Sequence, residues 1–427
     1  MGETVRMRTG NAEAIGYRTG LVAALDVGSS KVVCLIGRAE PGSLRVLGTA
    51  LRESQGVKAG TITSLDLAEE AIRDAVAAAE NHADARIQNV IIGVNCGQPV
   101  NIMSRNAMVL DGALVTDAHL RALLAEGRAK CIRDGYEIIQ SAPTAYAVDE
   151  ARGVRDPSGM FCQKIGVVMH AVGIKPSPLQ NLRLAVERCH LTIAGTLFAP
   201  YASGLATLTD DEKQLGATVV DMGGGVTSIA VFNEGQLVYA DVVPAGGAQV
   251  TADLARMLAA PLSAAERAKT LHGAALGDLE YGADVVTVPQ MGEDGEDAGM
   301  RVPRSMLTRI IQARMEEILG EVQTRLRASG FDVAAGRRAV LTGGGSQLSG
   351  VRELAARILN KQVRIGRPAA FPGLPAASAS PDYATAVGLL MAGASMPPEV
   401  LNPDLAAEHE EPRGKGFFSR LTNRLLG

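Results

Sequence analysis

The chain writes the same supersecondary unit twice. Val22-Ala23-Ala24-Leu25-Asp26-Val27-Gly28-Ser29-Ser30-Lys31-Val32-Val33-Cys34-Leu35-Ile36 and, roughly two hundred residues later, Thr218-Val219-Val220-Asp221-Met222-Gly223-Gly224-Gly225-Val226-Thr227-Ser228-Ile229-Ala230-Val231-Phe232 both run apolar strand, acid, small residues, apolar strand. Each is followed by a third strand-like run, Leu44 to Leu51 and Gln236 to Val243, and then by a helical pattern, Leu67 to Ala79 and Val250 to Leu258. Apolar runs joined by a glycine turn predict tight β-hairpins. A duplicated β-hairpin-β-α unit restricts the chain to an α/β fold of two similar lobes that face each other.

The chemistry of the turns says what such lobes would face. Glycines carry no Cβ and take φ > 0, so consecutive backbone N–H groups can converge on an anion at close range. Asp26 and Asp221 end the first strand of each hairpin, where a carboxylate can hold a Mg²⁺ ion that bridges the same phosphates. A lone Asp-x-Gly-Gly-Gly is equally an ordinary hairpin with a surface acid. Two copies make a phosphate clamp, with one carboxylate from each side. A dinucleotide-binding loop is excluded, because it must run from a strand into a helix N-terminus and here each loop runs into another strand. No G-x-x-x-x-G-K-[ST] occurs either.

A third glycine turn follows, Ala339-Val340-Leu341-Thr342-Gly343-Gly344-Gly345-Ser346-Gln347-Leu348. It reads as a strand-turn-helix with nothing bound, or as bare backbone approaching an adenine or ribose.

Bulk properties narrow the rest. A length of 427 residues allows two to four domains. A net charge of −4 with mixed signs argues against a nucleic-acid face. Five scattered cysteines without metal spacing, Cys34, Cys96, Cys131, Cys162 and Cys189, suggest a reducing compartment. Residues 1–19 lack an apolar core and read as a disordered leader rather than a signal peptide. The long uncharged run Leu191 to Thr209 contains Pro200 and two glycines, so it reads as strand, turn and buried helix rather than a membrane span.

Between the units the pattern predicts a strand at Val90 to Val94, short strands at Val100 to Ile102 and Ala107 to Leu110, and a helix from Asp117 through Cys131. Strands at Glu137 to Gln140 and Ala145 to Val148 complete what looks like an inserted subdomain, 86–165. Lys164 to Ala171 and Ser177 to Cys189 return to a core pattern. In the second half Ser263 reads as the N-cap of a helix, Gly292 to Gly299 as an acidic loop, and Arg304 to Ala328 as a long amphipathic helix.

The order of these motifs resembles the phosphate-1, phosphate-2 and adenosine motifs of the actin-like ATPase superfamily. Ala265-Glu266-Arg267-Ala268-Lys269 looks like the Ala-Glu-x-x-Lys element that flanks the nucleoside in bacterial actins. Ser141 to Asp149 with Arg155-Asp156-Pro157-Ser158-Gly159-Met160, Leu208 to Gly216, and Gln362 to Pro368 resemble segments of the FtsA family of bacterial cell division proteins. The resemblance covers about residues 20–395.

It implies an actin-like, ribonuclease H-like α/β fold: duplicated β-sheet domains around a nucleotide cleft, with the FtsA-type inserted subdomain. Domain I would comprise 20–85, 166–205 and 378–395, domain II 206–249 and 335–377, with an outer subdomain at 250–334. It implies ATP and Mg²⁺ as ligands. The site residues carried over are Asp26, Gly28, Ser29, Ser30, Lys31, Asp221, Gly223, Gly224, Gly225, Gly247, Glu266, Lys269, Gly343, Gly344 and Gly345, with Asp26 and Asp221 on the metal.

After Ser395 the composition is that of a linker, 396–414. The last residues, 415–427, form an amphipathic pattern. At 100° per residue Phe417, Phe418, Leu421 and Leu425 share one face, with Arg420 opposite, Arg424 on the flank and Leu426 adjoining. The pattern is too short to span a bilayer and suits the interface, the other reading being a helix packed back on the body. FtsA proteins characteristically end in such a helix.

The resemblance further implies actin-like polymers that tether the tubulin-like division protein FtsZ to the cytoplasmic face of the inner membrane at the division site and recruit later division proteins. Arg314 and Glu317 match the segment implicated in binding the C-terminal peptide of FtsZ; they also read as a solvated i,i+3 pair. ATP turnover is expected to be slow, since Ala199 stands where relatives carry a water-positioning Glu. Two rivals stay open, a small-molecule kinase of the superfamily and a pilus-assembly adaptor like PilM.

Overall fold

Antiparallel neighbours in sequence become antiparallel neighbours in space, once in each lobe. The computed structural model describes residues 19–277, 284–292, 299–396 and 398–401. In the first lobe β1 (Gly20–Val27), β2 (Lys31–Glu40) and β3 (Ser43–Glu53) form a meander, followed by a small ribbon of β4 (Val57–Lys58) and β5 (Thr61–Ile62). Then come α1 (Leu65–Ala83) and β6 (Asn89–Val94). Next are β7 (Val100–Val109), α2 (Asp117–Ala129), β8 (Glu137–Val148), β9 (Ala151–Val154) and β10 (Lys164–Ile174). The chain returns through α3 (Pro176–Glu187), β11 (Thr192–Phe198) and α4 (Ala199–Thr207).

The second lobe runs α5 (Asp210–Leu215), β12 (Ala217–Met222), β13 (Thr227–Asn233), β14 (Gln236–Val243), α6 (Gly247–Leu258), α7 (Leu262–His272), β15 (Val285–Pro289), β16 (Gly299–Pro303) and α8 (Arg304–Ser329). It continues with β17 (Arg338–Thr342), α9 (Val351–Leu359) and β18 (Gln362–Ile365). Finally α10 (Ala384–Ser395) and α11 (Pro398–Leu401) go back to the first lobe.

The two main sheets have matching orders, β3-β2-β1-β6-β11 and β14-β13-β12-β17-β18, antiparallel through the meander and parallel beyond it. Strand-for-strand equivalence is what a duplicated unit should give. Each sheet buries an apolar face against helices: Leu25, Val32, Cys34 and Ile92 against Ala68, Ile72 and Ala75 of α1 in one lobe, and Val220, Ile229 and Leu341 against Leu254 of α6 and Ile318 of α8 in the other. The opposite face of the first sheet packs on α10 through Ala386, Leu389 and Leu390.

Several sequence expectations shift. The strands expected at Val100 to Ile102 and Ala107 to Leu110 are one strand, β7. Its polar middle faces inward, where Ser104 Oγ donates to Gly127 O at 2.7 Å and Asn106 Nδ2 to Leu123 O at 3.1 Å, both on α2. The pair expected at Glu137 to Gln140 and Ala145 to Val148 is likewise one strand, β8. A bulge beside Pro143, opposite Val168/Met169, absorbs the proline.

The insert's bounds differ from 86–165. β6 belongs to the first main sheet, and β10 lies between β7 and β8 in the four-stranded sheet β7-β10-β8-β9. A central strand that is apolar over most of its length carries no mark of which sheet it will enter. Pro261, not Ser263, precedes α7 at the N-cap position. The chain also does not leave the body at Ser395, because Leu401 on α11 is fully buried against Gly195 of β11. The acidic loop Gly292 to Gly299 lies mostly outside the described residues, as does the leader.

Candidate functional site

The two hairpin tips meet. Gly224 lies so near Ser30 that a Cβ there would stand 2.7 Å from the serine's Cβ and Oγ. Gly225 faces Ser29 in the same way, and Ser29 Oγ accepts from the Gly60 N–H at 3.0 Å. Each turn is closed by one ladder-like bond, Gly28 N–H to Lys31 O and Gly223 N–H to Val226 O, both 2.9 Å. The carbonyls of Gly223 and Gly224 accept from Gly247 and Ala248 at the start of α6, at 3.0 and 2.7 Å, so the second hairpin and α6 form one rigid corner.

A cavity of about 590 Å³ opens beside the tips. Of the residues singled out in the sequence, Ser30, Gly223, Gly224, Gly247, Glu266, Lys269, Gly344 and Gly345 line it. Its volume suits a nucleotide-sized ligand. Asp26, Gly28, Ser29, Lys31, Asp221, Gly225 and Gly343 are not on its wall; they lie behind the tips or between the lobes. Lys269 Nζ donates to Glu266 Oε2 at 2.7 Å, Thr251 Oγ1 at 2.9 Å and Gly247 O at 3.1 Å, which ties α7 to the α6 corner.

Behind the tips sit the two acids. Burial first, and then the neighbouring Asp221 carboxylate, push the Asp26 carboxyl up to about 7 against the opposing Lys31 ammonium. Asp221 is raised as well, by burial, against hydrogen bonds from Ser203 and Thr385 and the attraction of Lys31. Two desolvated carboxylates that repel each other are a donor set waiting for positive charge. Among the described residues no group of three acids, histidines or cysteines could hold a metal ion by itself. Two carboxylates, Asp26 and Asp221, are the kind of donor set that suits Mg²⁺, which takes one or two carboxylates and draws its remaining ligands from phosphates and water.

The site includes residues the sequence did not flag. Ser203 on α4 and Thr385 on α10 both donate to Asp221 Oδ2, at 2.5 and 3.0 Å. Asp382 pairs with Lys31 at 3.0 Å and accepts from Gln347 at 3.3 Å, joining the first hairpin to the third glycine turn. Hydroxyls in helices otherwise made mostly of small and apolar residues, Ser203 in α4 and Thr385 in α10, were the available signal, since a buried hydroxyl needs a partner.

Arg314 and Glu317 lie on α8 and do not line the cavity, whereas their neighbours Met315 and Ile318 do. Their ion pair is 2.7 Å, and Arg314 Nε also donates to Asp253 Oδ2 of α6 at 2.6 Å. Arg314 is thus a bracket between two helices, while Glu317 is mostly exposed. Phe417, Phe418, Arg420, Leu421, Arg424, Leu425 and Leu426 lie outside the described residues. Among those described, no helix is long and apolar enough to cross a membrane.

Comparison with known proteins agrees with this geometry. Residues 218–388 match the family model "Cell division protein FtsA", and residues 97–173 match "SHS2 domain inserted in FTSA". The second match begins and ends within a few residues of the strands β7 and β10. The chain is 42% identical to the cell division protein FtsA of Rhizobium meliloti (strain 1021) over 415 residues, 95% of this chain and 92% of that protein. It is 35% identical to FtsA of Neisseria meningitidis serogroup B over 404 residues, 94% of this chain and 96% of the relative.

Among solved structures, one of a PilM–PilN type IV pilus biogenesis complex matches with a TM-score of 0.60 at 16% identity, covering 89% of this chain and 100% of that one. MreB5 of Spiroplasma citri, solved with ADP, matches with a TM-score of 0.50 at 11% identity, over 92% and 99%. Those likenesses are of fold, and the fold is actin-like. Matching lobes, an SHS2 insert between β6 and α3, and identity along nearly the whole length place the chain in the FtsA family of cell division proteins.

Proposed function

We propose that this protein binds ATP with Mg²⁺ between its lobes, assembles into actin-like polymers, and tethers the C-terminal peptide of FtsZ to the cytoplasmic face of the membrane at the division site, where it recruits later division proteins. The observation that carries the nucleotide half is the meeting of two glycine hairpins beside a 590 Å³ cavity, with Asp26 and Asp221 behind them. The bound ion supplies positive charge against the phosphates, and Asp26 and Asp221 are the residues that would hold it. Glu266 and Lys269 would stand on the nucleoside side, with Gly343, Gly344 and Gly345 offering bare backbone. Gly28, Ser29, Ser30, Lys31, Gly223 and Gly225 would complete the phosphate clamp. Glu317, with Arg314 behind it, is the proposed docking point of the acceptor peptide on α8.

Chemistry at the γ-phosphate is slow in this reading. Ala199, buried at the first turn of α4, offers no carboxylate to orient a water molecule. ATP turnover by purified protein with lipid is expected to stay below about 1 s⁻¹ in a phosphate-release assay, under the usual enzyme range of roughly 1–10³ s⁻¹. Rates inside that range would make the protein an enzyme first, and the kinase reading would then lead.

The membrane half rests on the C-terminal pattern. Each apolar side chain contributes roughly 1.5–3 kcal/mol when fully buried and each Arg about 1 kcal/mol near anionic lipid, so a single tail binds weakly once ordering is subtracted. Several tails on one polymer bind together. The test is co-sedimentation with anionic liposomes, ATP and the FtsZ peptide. Stopping the chain at Pro412 is expected to cut the pelleted fraction about tenfold and leave the peptide in the supernatant. Equal pelleting of both forms would remove the tail from the mechanism.

A further inference from the structure

Asp221 belongs to the second lobe, and its carboxylate is gripped by one hydroxyl from α10, which packs on the first lobe, and one from α4, which lies between the two sheets. Oδ2 accepts from Ser203 Oγ at 2.5 Å and from Thr385 Oγ1 at 3.0 Å, and the two hydroxyls stand 2.9 Å apart. Ser203 Oγ is also 3.2 Å from Ala199 O. Each hydroxyl has one proton to give, and an ionised carboxylate, which only accepts, takes both. On the other side Oδ1 lies against Gly343, where a Cβ would collide with it. All three side chains are buried. The carboxylate is therefore fixed at both oxygens and cannot turn freely about its Cβ–Cγ bond.

The hydroxyls are themselves fixed. A Cβ on Gly388 would overlap the backbone of Ala202, so α10 and α4 cross with their main chains in contact, one residue from Ser203 and one turn from Thr385. The turn leading into α10 is anchored to the third glycine motif, because Pro381 O accepts from both the Gly343 N–H and Thr342 Oγ1 at 3.1 Å. The backbone positions of both hydroxyl residues relative to Asp221 change only if the crossing helices move.

We propose that Ser203 and Thr385 are positioning residues that hold the Asp221 carboxylate in the orientation it needs toward the Mg²⁺ of a bound nucleotide, so that the crossing of α4 and α10 is coupled to the metal-dependent part of binding. This rests on the nucleotide-site reading above. The orienting role is that of an outer shell around a metal ligand, whose removal typically costs 10–100-fold in metal affinity. Because the grip joins α4 and α10 to β12, a rotation of one lobe against the other changes the orientation of the carboxylate.

The experiment titrates ADP into full-length protein by calorimetry, once with MgCl₂ and once with EDTA, for the wild type, Thr385→Val, Thr385→Ser and Ser203→Ala. Valine keeps the shape of threonine and removes the hydroxyl. Magnesium is expected to tighten ADP binding to the wild type, and Thr385→Val and Ser203→Ala to lose about tenfold of that tightening. Their affinity in EDTA should stay within about twofold, and Thr385→Ser should behave as the wild type. Unchanged tightening in Thr385→Val overturns the positioning role and leaves the nucleotide site standing. A loss of equal size with and without magnesium also overturns it, since that is what a merely structural defect produces. Wild-type protein that binds no ADP under either condition removes the nucleotide-site reading and this inference with it.

Discussion

Gly224→Val is expected to weaken ADP binding at least 100-fold, about 3 kcal/mol, while leaving the thermal unfolding of the protein close to that of the wild type. The valine Cβ would stand 2.7 Å from Ser30, below any ordinary carbon contact, and its two methyl groups extend further in the same direction. Ser30 is at the tip of the opposite hairpin and Gly225, next along, is against Ser29, so neither tip can yield locally. The clash is relieved by parting the tips, which separates the two loops that would share one phosphate chain. Gly224 lies at the seam between lobes and does not need a positive φ, so neither core pays for the change. Calorimetric titration with ADP·Mg²⁺ and a circular dichroism melt decide it. Wild-type affinity in the variant would mean that the hairpin tips do not hold phosphate.

Glu212→Gln is expected to lower the stability of the protein by about 3 kcal/mol near neutral pH, read as a fall in the urea midpoint, because it leaves a charged arginine without its buried partner. Glu212 sits in α5 with its side chain buried. It accepts from Arg364 Nε at 2.8 Å and again from Arg364 Nη2, from the Thr209 N–H at 3.0 Å, and stands 3.5 Å from Arg338. Arg364 also donates to Thr207 O at 2.7 Å, so one carboxylate staples the end of α4 to β18. Burial opposes the charge, but Arg364, the Thr209 N–H and Arg338 together outweigh it and hold the carboxyl at about 2, below its ordinary 4.5. A group whose folded value is depressed contributes its stability above the unfolded value and loses it as pH falls through the folded one. The gap between wild type and Glu212→Gln should be constant above about pH 5 and close between 4.5 and 2. A gap that does not narrow with acid would assign the loss to packing.

What the sequence discloses is what is local. β12, β13 and β14 are neighbours along the chain, are rich in apolar residues and are divided by glycine turns, so their pattern is complete in a short window. β10 is not like that. Beyond Lys164 it is apolar but for the buried His170, and nothing in Lys164–Ile174 tells whether its partners will be β6 and β11 or β7 and β8. Ser104 and Asn106 broke the strand pattern of β7 because their partners, the carbonyls of α2, lie about twenty residues on.

The site divides along the same line. The acids and glycines that a ligand would touch stand in contiguous motifs, whereas the groups that orient them come from afar. Thr385 reaches Asp221 across 164 residues of chain, and Asp382, beside the start of α10, reaches Lys31 in the first hairpin. Such partners have no spacing to detect; for Thr385 the trace is a hydroxyl in a helix made mostly of small and apolar residues.

α10 closes the first lobe from the far end of the chain, and this fixes the order in which the protein can be completed as it is synthesised. Ala386, Leu389 and Leu390 cover the face of the first sheet to which β1 and β2 belong, strands complete by Glu40, long before α10 begins at Ala384. The second lobe, by contrast, is one continuous stretch from α5 to β18. Domains generally fold as units during synthesis, N-terminal parts first. Here the lobe that starts first must finish last, and until α10 emerges it carries Val22, Ala24, Val33 and Leu35 on an uncovered sheet. A nascent chain of this protein is therefore most in need of protection after its first strands are made, and ribosomes stalled before residue 384 would release a folded second lobe attached to an unfinished first.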